Sequence, residues 1–303
     1  MNSELQWIER LRRRVGLPRG TGVVLGIGDD CAIFRPRGSV EDLLFTTDLL
    51  LEDVHFRRAT HRADDVGWKA VARGLSDIAA MGGDPRFFLV SLAVPQWADA
   101  RWLSGFYRGA LDLAARERVL LAGGDVARSE RLACDIVVCG SVPRAAALRR
   151  AGARAGNAIY VSGRLGGSAL GLARGRGAAW RRHARPEPRL ALGRFLRERL
   201  HATAAMDLSD GLSLDLRRLC LAARSSATLD APPPRFPGAT LEQALHGGED
   251  YELLFTVASS TRVPPAYQGI PLTRIGVVTR GRPGMVRFEG RRLEPLGYDH
   301  FGG

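Results

Sequence analysis

The chain has 303 residues, 45% of them hydrophobic and 25% charged, which leaves room for two domains of ordinary size and excludes wholesale disorder. Its longest apolar runs, such as residues 87–95, are too short to span a bilayer, and the Arg-rich residues 1–20 lack the apolar core of a signal peptide; a cytoplasmic protein is expected. The net charge of +12 comes almost wholly from arginines scattered in short runs, with a single lysine, Lys69, a dispersion that argues against nucleic acid and suits a small acidic substrate such as a nucleotide.

In chain order, residues 23–27, 43–46, 87–94, 119–121 and 136–140 are short apolar or β-branched runs bounded by Gly, Pro or Asp, and read as strands. Trp68, Val71, Leu75 and Ile78 recur at helical spacing behind Asp64 and Asp65, which suit a helix start. Leu103, Phe106, Ala110 and Leu113 mark a second helix. Residues 143–157 form an Arg- and Ala-rich connector, so the chain divides into units 1–145 and 146–303. The second unit opens with a strand at 158–161, a glycine turn (Gly163, Gly166, Gly167) and a helix whose N-terminus suits an anion. Helices follow near 191–200 and along Leu212, Leu216, Leu219 and Ala223. The Pro232–Pro234 run is a loop, and 252–257 and 274–278 are strands.

Cys31, Cys134, Cys139 and Cys220 have no metal-ligand spacing and read as reduced, buried small hydrophobes. The chemistry-bearing signal is acidic. Five aspartate-bearing turns recur where a strand or helix gives out: Gly28-Asp29-Asp30, Thr46-Thr47-Asp48, Ser76-Asp77, Gly123-Gly124-Asp125 and Asp207-Leu208-Ser209-Asp210. Each alone is explained as a turn former, a cap or a solvated face. Gathered together they would make an all-oxygen site suited to hard cations such as Mg²⁺. Two carboxylates about 5 Å apart repel by roughly 3 kcal/mol at an effective dielectric near 20, so a gathered set calls for a cation. Asp77 is the most pointed of them, because the residues after it, 78–83, are almost all apolar or small and imply a helix buried on several sides. With neither GxGxxG nor a Walker pattern present, phosphoryl chemistry here must lean on metals, backbone amides and arginine.

Taken in order, several stretches resemble the thiamine-monophosphate kinase family. They are Gly26-Ile27-Gly28-Asp29-Asp30-Cys31-Ala32, Thr46-Thr47-Asp48 with Glu52 to Phe56, Lys69-Ala70, and Leu75-Ser76-Asp77-Ile78-Ala79-Ala80-Met81-Gly82. Gly123-Gly124-Asp125, Asp207-Leu208-Ser209-Asp210-Gly211-Leu212, Gly247-Gly248-Glu249-Asp250-Tyr251-Glu252-Leu253 and Gly297-Tyr298-Asp299-His300-Phe301 complete the set, which spans nearly the whole chain. The chain departs from the family pattern at Gly74, where Asn is usual, and at Val126-Ala127, where two threonines are common.

The resemblance implies the α/β (α+β) two-domain fold of aminoimidazole ribonucleotide synthetase, with an N-terminal sheet that pairs across a homodimer and a C-terminal α+β domain. It implies ATP-dependent phosphorylation of thiamine monophosphate to thiamine diphosphate, assisted by several Mg²⁺ ions. On this likeness Asp30, Thr46, Thr47, Asp48, Asp77, Asp125, Asp207 and Asp210 bind the metal, the aspartates being the catalytic set. Tyr107, Gly124, Asp125, Arg150 and Ser209 contact ATP, and His55, Glu249 and Tyr298 contact thiamine monophosphate. An acceptor phosphate is already ionised and needs no general base, so direct in-line transfer without a phosphoenzyme is expected. The rivals are a selenophosphate or aminoimidazole ribonucleotide synthetase of the same superfamily, and a non-catalytic nucleotide-binding protein. Against the first stands the lack of a reactive Cys in a glycine-rich N-terminal loop with a nearby lysine.

Overall fold

Alternation of buried and exposed residues organises the first half of the chain into a sheet. The computed structural model describes residues 4–16 and 20–300; Phe301 of the C-terminal motif lies outside them. Helix α1 (Glu4–Val15) precedes strands β1 (Val23–Leu25), β2 (Ala32–Phe34) and β3 (Glu41–Leu51). Helix α2 (Ala63–Ala80), strand β4 (Asp84–Val94), helix α3 (Ala100–Glu117) and strands β5 (Leu120–Arg128) and β6 (Ala133–Pro143) follow. The strands form one sheet in the order β1-β2-β3-β6-β4-β5, antiparallel except for the β4–β5 pair.

One face of this sheet, carrying Leu44, Thr46, Val90, Ile136 and Val138, is buried, and α2 crosses it in contact with β3, β4 and β6. The register puts Leu49, Asp135, Ser91 and Asp125 in one row across the opposite face, where Leu49 is 49% exposed and Ser91 and Asp125 are exposed.

Beyond a short 3₁₀ turn (Arg150–Gly152), the second half supplies β7 (Ala158–Ser162), α4 (Gly167–Arg174), α5 (Gly177–Ala184), α6 (Leu190–Glu198) and β8 (Ala204–Asp207). It continues with α7 (Leu212–Ala222), β9 (Ser226–Leu229), α8 (Leu241–His246), β10 (Leu253–Val257), β11 (Ala266–Tyr267), β12 (Ile270–Thr279), β13 (Val286–Phe288) and β14 (Arg291–Arg292). Its sheet runs β14-β13-β9-β12-β7-β10-β8, with β11 paired to β12.

Helix α2 is the element on which both halves converge. It touches β8 and α6 as well as the first sheet, and 13 of its 18 residues are buried. That is the expected fate of a helix apolar around most of its girth. One apolar cluster therefore runs from Leu44, Phe88 and Ile136 through α2 to Leu196, Leu253 and Phe255. Helix α3 approaches α2 so closely that a Cβ at Gly67 would meet the Phe106 carbonyl oxygen at 1.9 Å, and one at Gly109 the Asp64 carbonyl oxygen at 1.8 Å.

Several local expectations are corrected. Thr46–Asp48 lies inside β3, Asp77 inside the last turn of α2, and Gly123–Asp125 inside β5, so three of the five motifs are not turns. Strand β5 accepts two glycines because it is an edge strand, and at Gly124 a Cβ would strike the Val90 carbonyl oxygen at 1.8 Å. Asp64 and Asp65 sit in the first turn of α2 and not at its cap, which is Arg62; there they favour the helix dipole and bind Arg185. Helix α1 and strand β2 went unread: α1 buries no residue, and β2 is three residues long. Among the described residues no helix is long and apolar enough to cross a membrane.

Candidate active site

The junction of the two halves encloses a cavity of about 440 Å³, lined by residues of β3, α2, α4, the Gly28–Asp30 and Leu208–Gly211 loops, the Gly248–Tyr251 loop and the C-terminal tail. Strand alternation turns Thr46 and Asp48 towards α2. The helical repeat places Lys69, Arg73 and Asp77 one turn apart along α2. Asp207 ends β8, whose four residues are all buried.

At one end, Asp30, Asp77 and Asp207 each offer a carboxylate oxygen within 4.8 Å of the others. The Thr46 hydroxyl donates to Asp77 at 2.5 Å and the Ser76 hydroxyl to Asp207 at 2.7 Å. Burial first, then the neighbouring carboxylates, hold the Asp77 and Asp207 carboxyls well above the usual range. Asp29 is pushed up to about 7 by burial and by Asp30. Such a set is short of positive charge, and its donors are hard oxygens that fit a divalent cation of the Mg²⁺ type.

Arginines hold Asp30 and the carboxylates that surround the centre. Arg150 donates to Asp30 at 2.6 Å and, through its backbone N–H, to Asp29 at 3.3 Å. Arg73 forks onto Asp48 at 2.9 and 2.5 Å, and Arg218 binds Asp210 and Asp215. Asp215 also accepts from the backbone N–H groups of Asp210 and Gly211, both at 3.0 Å. The start of α7 is thus stabilised by Asp215; its cap residue is Gly211, and no side chain of the Asp207–Asp210 motif caps the helix.

At the other end stand Glu249, His55, Tyr298 and His300. Lys69, the lone lysine, is fully buried and donates from Nζ to Glu249 at 2.9 Å and to the His55 carbonyl at 3.0 Å. Burial alone would raise Glu249, but Lys69, His183 and Arg73 outweigh it and hold the carboxyl at about 2, ionised. His55 accepts from the Leu51 N–H at 3.0 Å, and burial depresses it to about 3, so its ring is neutral. The His55 and His300 rings lie 5.3 Å apart and Tyr298 meets His300 edge-on at 4.8 Å, an aromatic wall beside a fixed carboxylate. The Tyr298 N–H bonds the Asp210 carbonyl and the Glu249 N–H the Ser209 carbonyl, tying both ends of the cavity together.

The fold thus brings together Asp30, Thr46, Asp48, Asp77, Arg150, Asp207, Ser209, Asp210, His55, Glu249 and Tyr298. Thr47 reaches the cavity wall, but its hydroxyl is bonded to Asp135 at 2.6 Å on the open face of the sheet. Tyr107, on α3, packs on Phe106, and Gly124 and Asp125 lie exposed on edge strand β5; none of the three lines this cavity. The anion expected at the start of α4 is already there: Asp250 accepts from the Gly166 and Ser168 N–H groups at 2.5 and 3.0 Å. Arg73 and Arg218 were passed over in the sequence. The spacing of Lys69, Arg73 and Asp77 at successive helical turns was the signal available for Arg73.

A two-sheet frame with a carboxylate cluster at the junction defines a class. The family model for the AIR synthase related protein, N-terminal domain, matches residues 28–142. The hydrogenase maturation protein HypE in complex with ATP shares the fold at a TM-score of 0.70 and 20% identity. Full-length likeness is more particular. The thiamine-monophosphate kinases of Rhodopirellula baltica and Escherichia coli K12 are 36% and 38% identical to the chain, each match covering 92% of both sequences. That of Bacillus subtilis is 33% identical over 93% of this chain and 94% of its own. A solved structure described as AaThiL complexed with AMPPCP and TMP superposes with a TM-score of 0.87 at 31% identity, covering 99% of this chain and 97% of that one. The chain belongs to the thiamine-monophosphate kinase family.

Proposed function

We propose that the protein transfers the γ-phosphoryl group of ATP to the phosphate of thiamine monophosphate, giving thiamine diphosphate and ADP. One observation carries this reading: a single cavity holds the Asp30–Asp77–Asp207 cluster at one end and an ionised Glu249 beside an aromatic wall at the other. The first suits a polyphosphate with its cation, the second a cationic aromatic such as thiamine. The relatives named thiamine-monophosphate kinase and the neighbour holding AMPPCP and TMP support the same substrates.

Asp30, Asp77 and Asp207 would hold Mg²⁺, with Thr46, Thr47, Asp48 and Asp210 close by, and bound Mg²⁺ would offset repulsion between the two phosphates. Arg150 and Ser209 flank the nucleotide end. Glu249, His55 and Tyr298 orient the acceptor. An acceptor phosphate oxygen forms the new P–O bond as the bond to the ADP oxygen breaks, with no proton to remove. The neutral His55 accords with that. Positioning and charge neutralisation therefore supply the catalysis.

The units 1–145 and 146–303 would then act as two jaws, one per sheet, and the four free buried cysteines suit a reducing, cytoplasmic setting. The uncovered face of the first sheet supports a homodimer through that face. Asp125, Gly124 and Tyr107 lie outside their own chain's cavity, so their expected contacts with metal and ATP call for a second copy. Chromatography of a reaction with Mg²⁺, ATP and thiamine monophosphate tests the activity: thiamine diphosphate should form, and free thiamine should not be phosphorylated. ATP turnover indifferent to thiamine monophosphate, or turnover on aminoimidazole precursors, would overturn it.

A further inference from the structure

Midway along the cavity, between the carboxylate cluster and the acceptor-side residues, stands Arg73. One helical turn before it, Lys69 holds Glu249 and the His55 carbonyl; one turn after it, Asp77 joins Asp30 and Asp207. Its side chain is 11% exposed and forms part of the cavity wall. Asp48 engages Nε and Nη2 in a two-pronged fork, while Nη1 is buried with no hydrogen-bond partner. The guanidinium is therefore rigidly aimed, permanently charged, and left with donor capacity after Asp48 is satisfied.

We propose that Arg73 is the binding residue for the acceptor phosphate monoester, and that Asp48 serves as its anchor. This deepens the kinase reading and rests on it for the identity of the acceptor. Phosphate is the fitting ligand because planar guanidinium recognises its oxygens with paired donors. The place is fitting too: an acceptor whose ring lies by Glu249 and Tyr298 must point its phosphate towards the carboxylate cluster, and Arg73 lies on that line. A fixed cation there counters acceptor charge without a bound metal, and Asp48 holds it in place.

The test compares Arg73→Met and Arg73→Lys with the wild type. Because Met leaves Asp48 without its partner, the double variant Arg73→Met/Asp48→Asn keeps the result readable if the single variant misfolds. Removal of the guanidinium should raise KM for thiamine monophosphate and weaken its calorimetric binding by about tenfold or more. Binding of free thiamine and KM for ATP should stay within about twofold, since neither needs this contact. Asp48→Asn, which removes the anchor of the guanidinium, should reproduce the KM effect on thiamine monophosphate. Titration of inorganic phosphate followed by phosphorus NMR should show saturable binding to the wild type and not to Arg73→Met. Equal phosphate and thiamine monophosphate binding by wild type and variants overturns the proposal. Equal loss of nucleotide and acceptor binding overturns it too, as does Asp48→Asn shifting only the Mg²⁺ requirement. If phosphate binding depends on Arg73 but no thiamine diphosphate forms, the kinase reading fails and the phosphate site stands.

Discussion

Asp77 and Asp207 face each other and Asp30 with only hydroxyl groups bonded to them directly, and burial and mutual repulsion disfavour their charges. The metal-free protein should therefore gain stability when one charge is deleted. Asp77→Asn is expected to raise the metal-free Tm by a few degrees, relieving up to about 3 kcal/mol of repulsion. Mg²⁺ should raise the Tm of the wild type, and the same variant should lose most of that increase. Thermal unfolding with and without Mg²⁺ checks both, and a lowered metal-free Tm contradicts the reading. A second pair of residues titrates in the opposite sense. His61 and His183 face each other at 3.3 Å between Nε2 atoms, and burial depresses them to about 4 and about 3 from an ordinary 6.5. Their neutral forms stabilise the fold fully above pH 6.5, and that stability is lost as pH falls towards 4 and then 3, by about 1–2 kcal/mol for each at pH 5. The gap in stability between wild type and His61→Gln/His183→Gln should therefore shrink between pH 7 and pH 5. Denaturant unfolding at the two pH values measures it, and a gap independent of pH contradicts the depressed values.

Helix α2 puts Arg73 and Asp77 into the cavity wall and joins the halves, so its seating sets the geometry of the cavity. Against α3 the contact is backbone on backbone. Gly109→Ala would press a methyl group onto the Asp64 carbonyl, where a Cβ already falls at 1.8 Å. It should cost about 1–3 kcal/mol and displace Lys69, Arg73 and Asp77 together. Gly74→Ala instead meets a side chain, Val138 Cγ2, at 2.6 Å. That methyl can turn aside, so the smaller loss is expected there. Unfolding midpoints rank the two variants, and a costlier Gly74→Ala contradicts the argument. Any side chain longer than alanine at position 74 would crowd both Val138 and Ile136. The sequence showed that α2 would be buried on several sides, because apolar and small residues continue around it past Asp77. Strand β5 was legible only to residue 121. Its glycines read as a turn, and nothing local distinguishes a turn from an edge strand pressed onto Val90.

For the molecule as a whole, the open face of the first sheet is the feature in need of a partner. Phe45, Leu49, Leu89 and Val137 lie on it with Thr47, Asp135 and Asp125. A sheet apolar on both faces buries the second against another layer, and an isologous pair of sheets provides one. Sedimentation at low micromolar concentration should give a dimer, and Leu49→Asp should yield monomers. A wild-type species of 32.9 kDa with full activity contradicts the arrangement. In that dimer Asp125→Asn should lower kcat by about a hundredfold or more while leaving the subunit fold intact by circular dichroism, because the side chain lies outside the core of its own chain.

By itself the sequence determined the chemistry on offer: hard-oxygen donors in order along the chain, one lysine, no cysteine cluster, and a helix bound to be buried. Local periodicity and residue type carry that much. What only the tertiary structure decided was company. Ser76 and Asp207 bond across 131 positions, Arg150 and Asp30 across 120, and Lys69 and Glu249 across 180. No local pattern encodes such distances, because each depends on two sheets closing around α2. The same closure sorted the carboxylates. It left Asp77 and Asp207 without a directly bound arginine, gave Asp48 to Arg73 and Asp210 to Arg218, and set Asp125 on an outer edge. An aspartate's charge is written in the sequence, but its neighbour is chosen by packing.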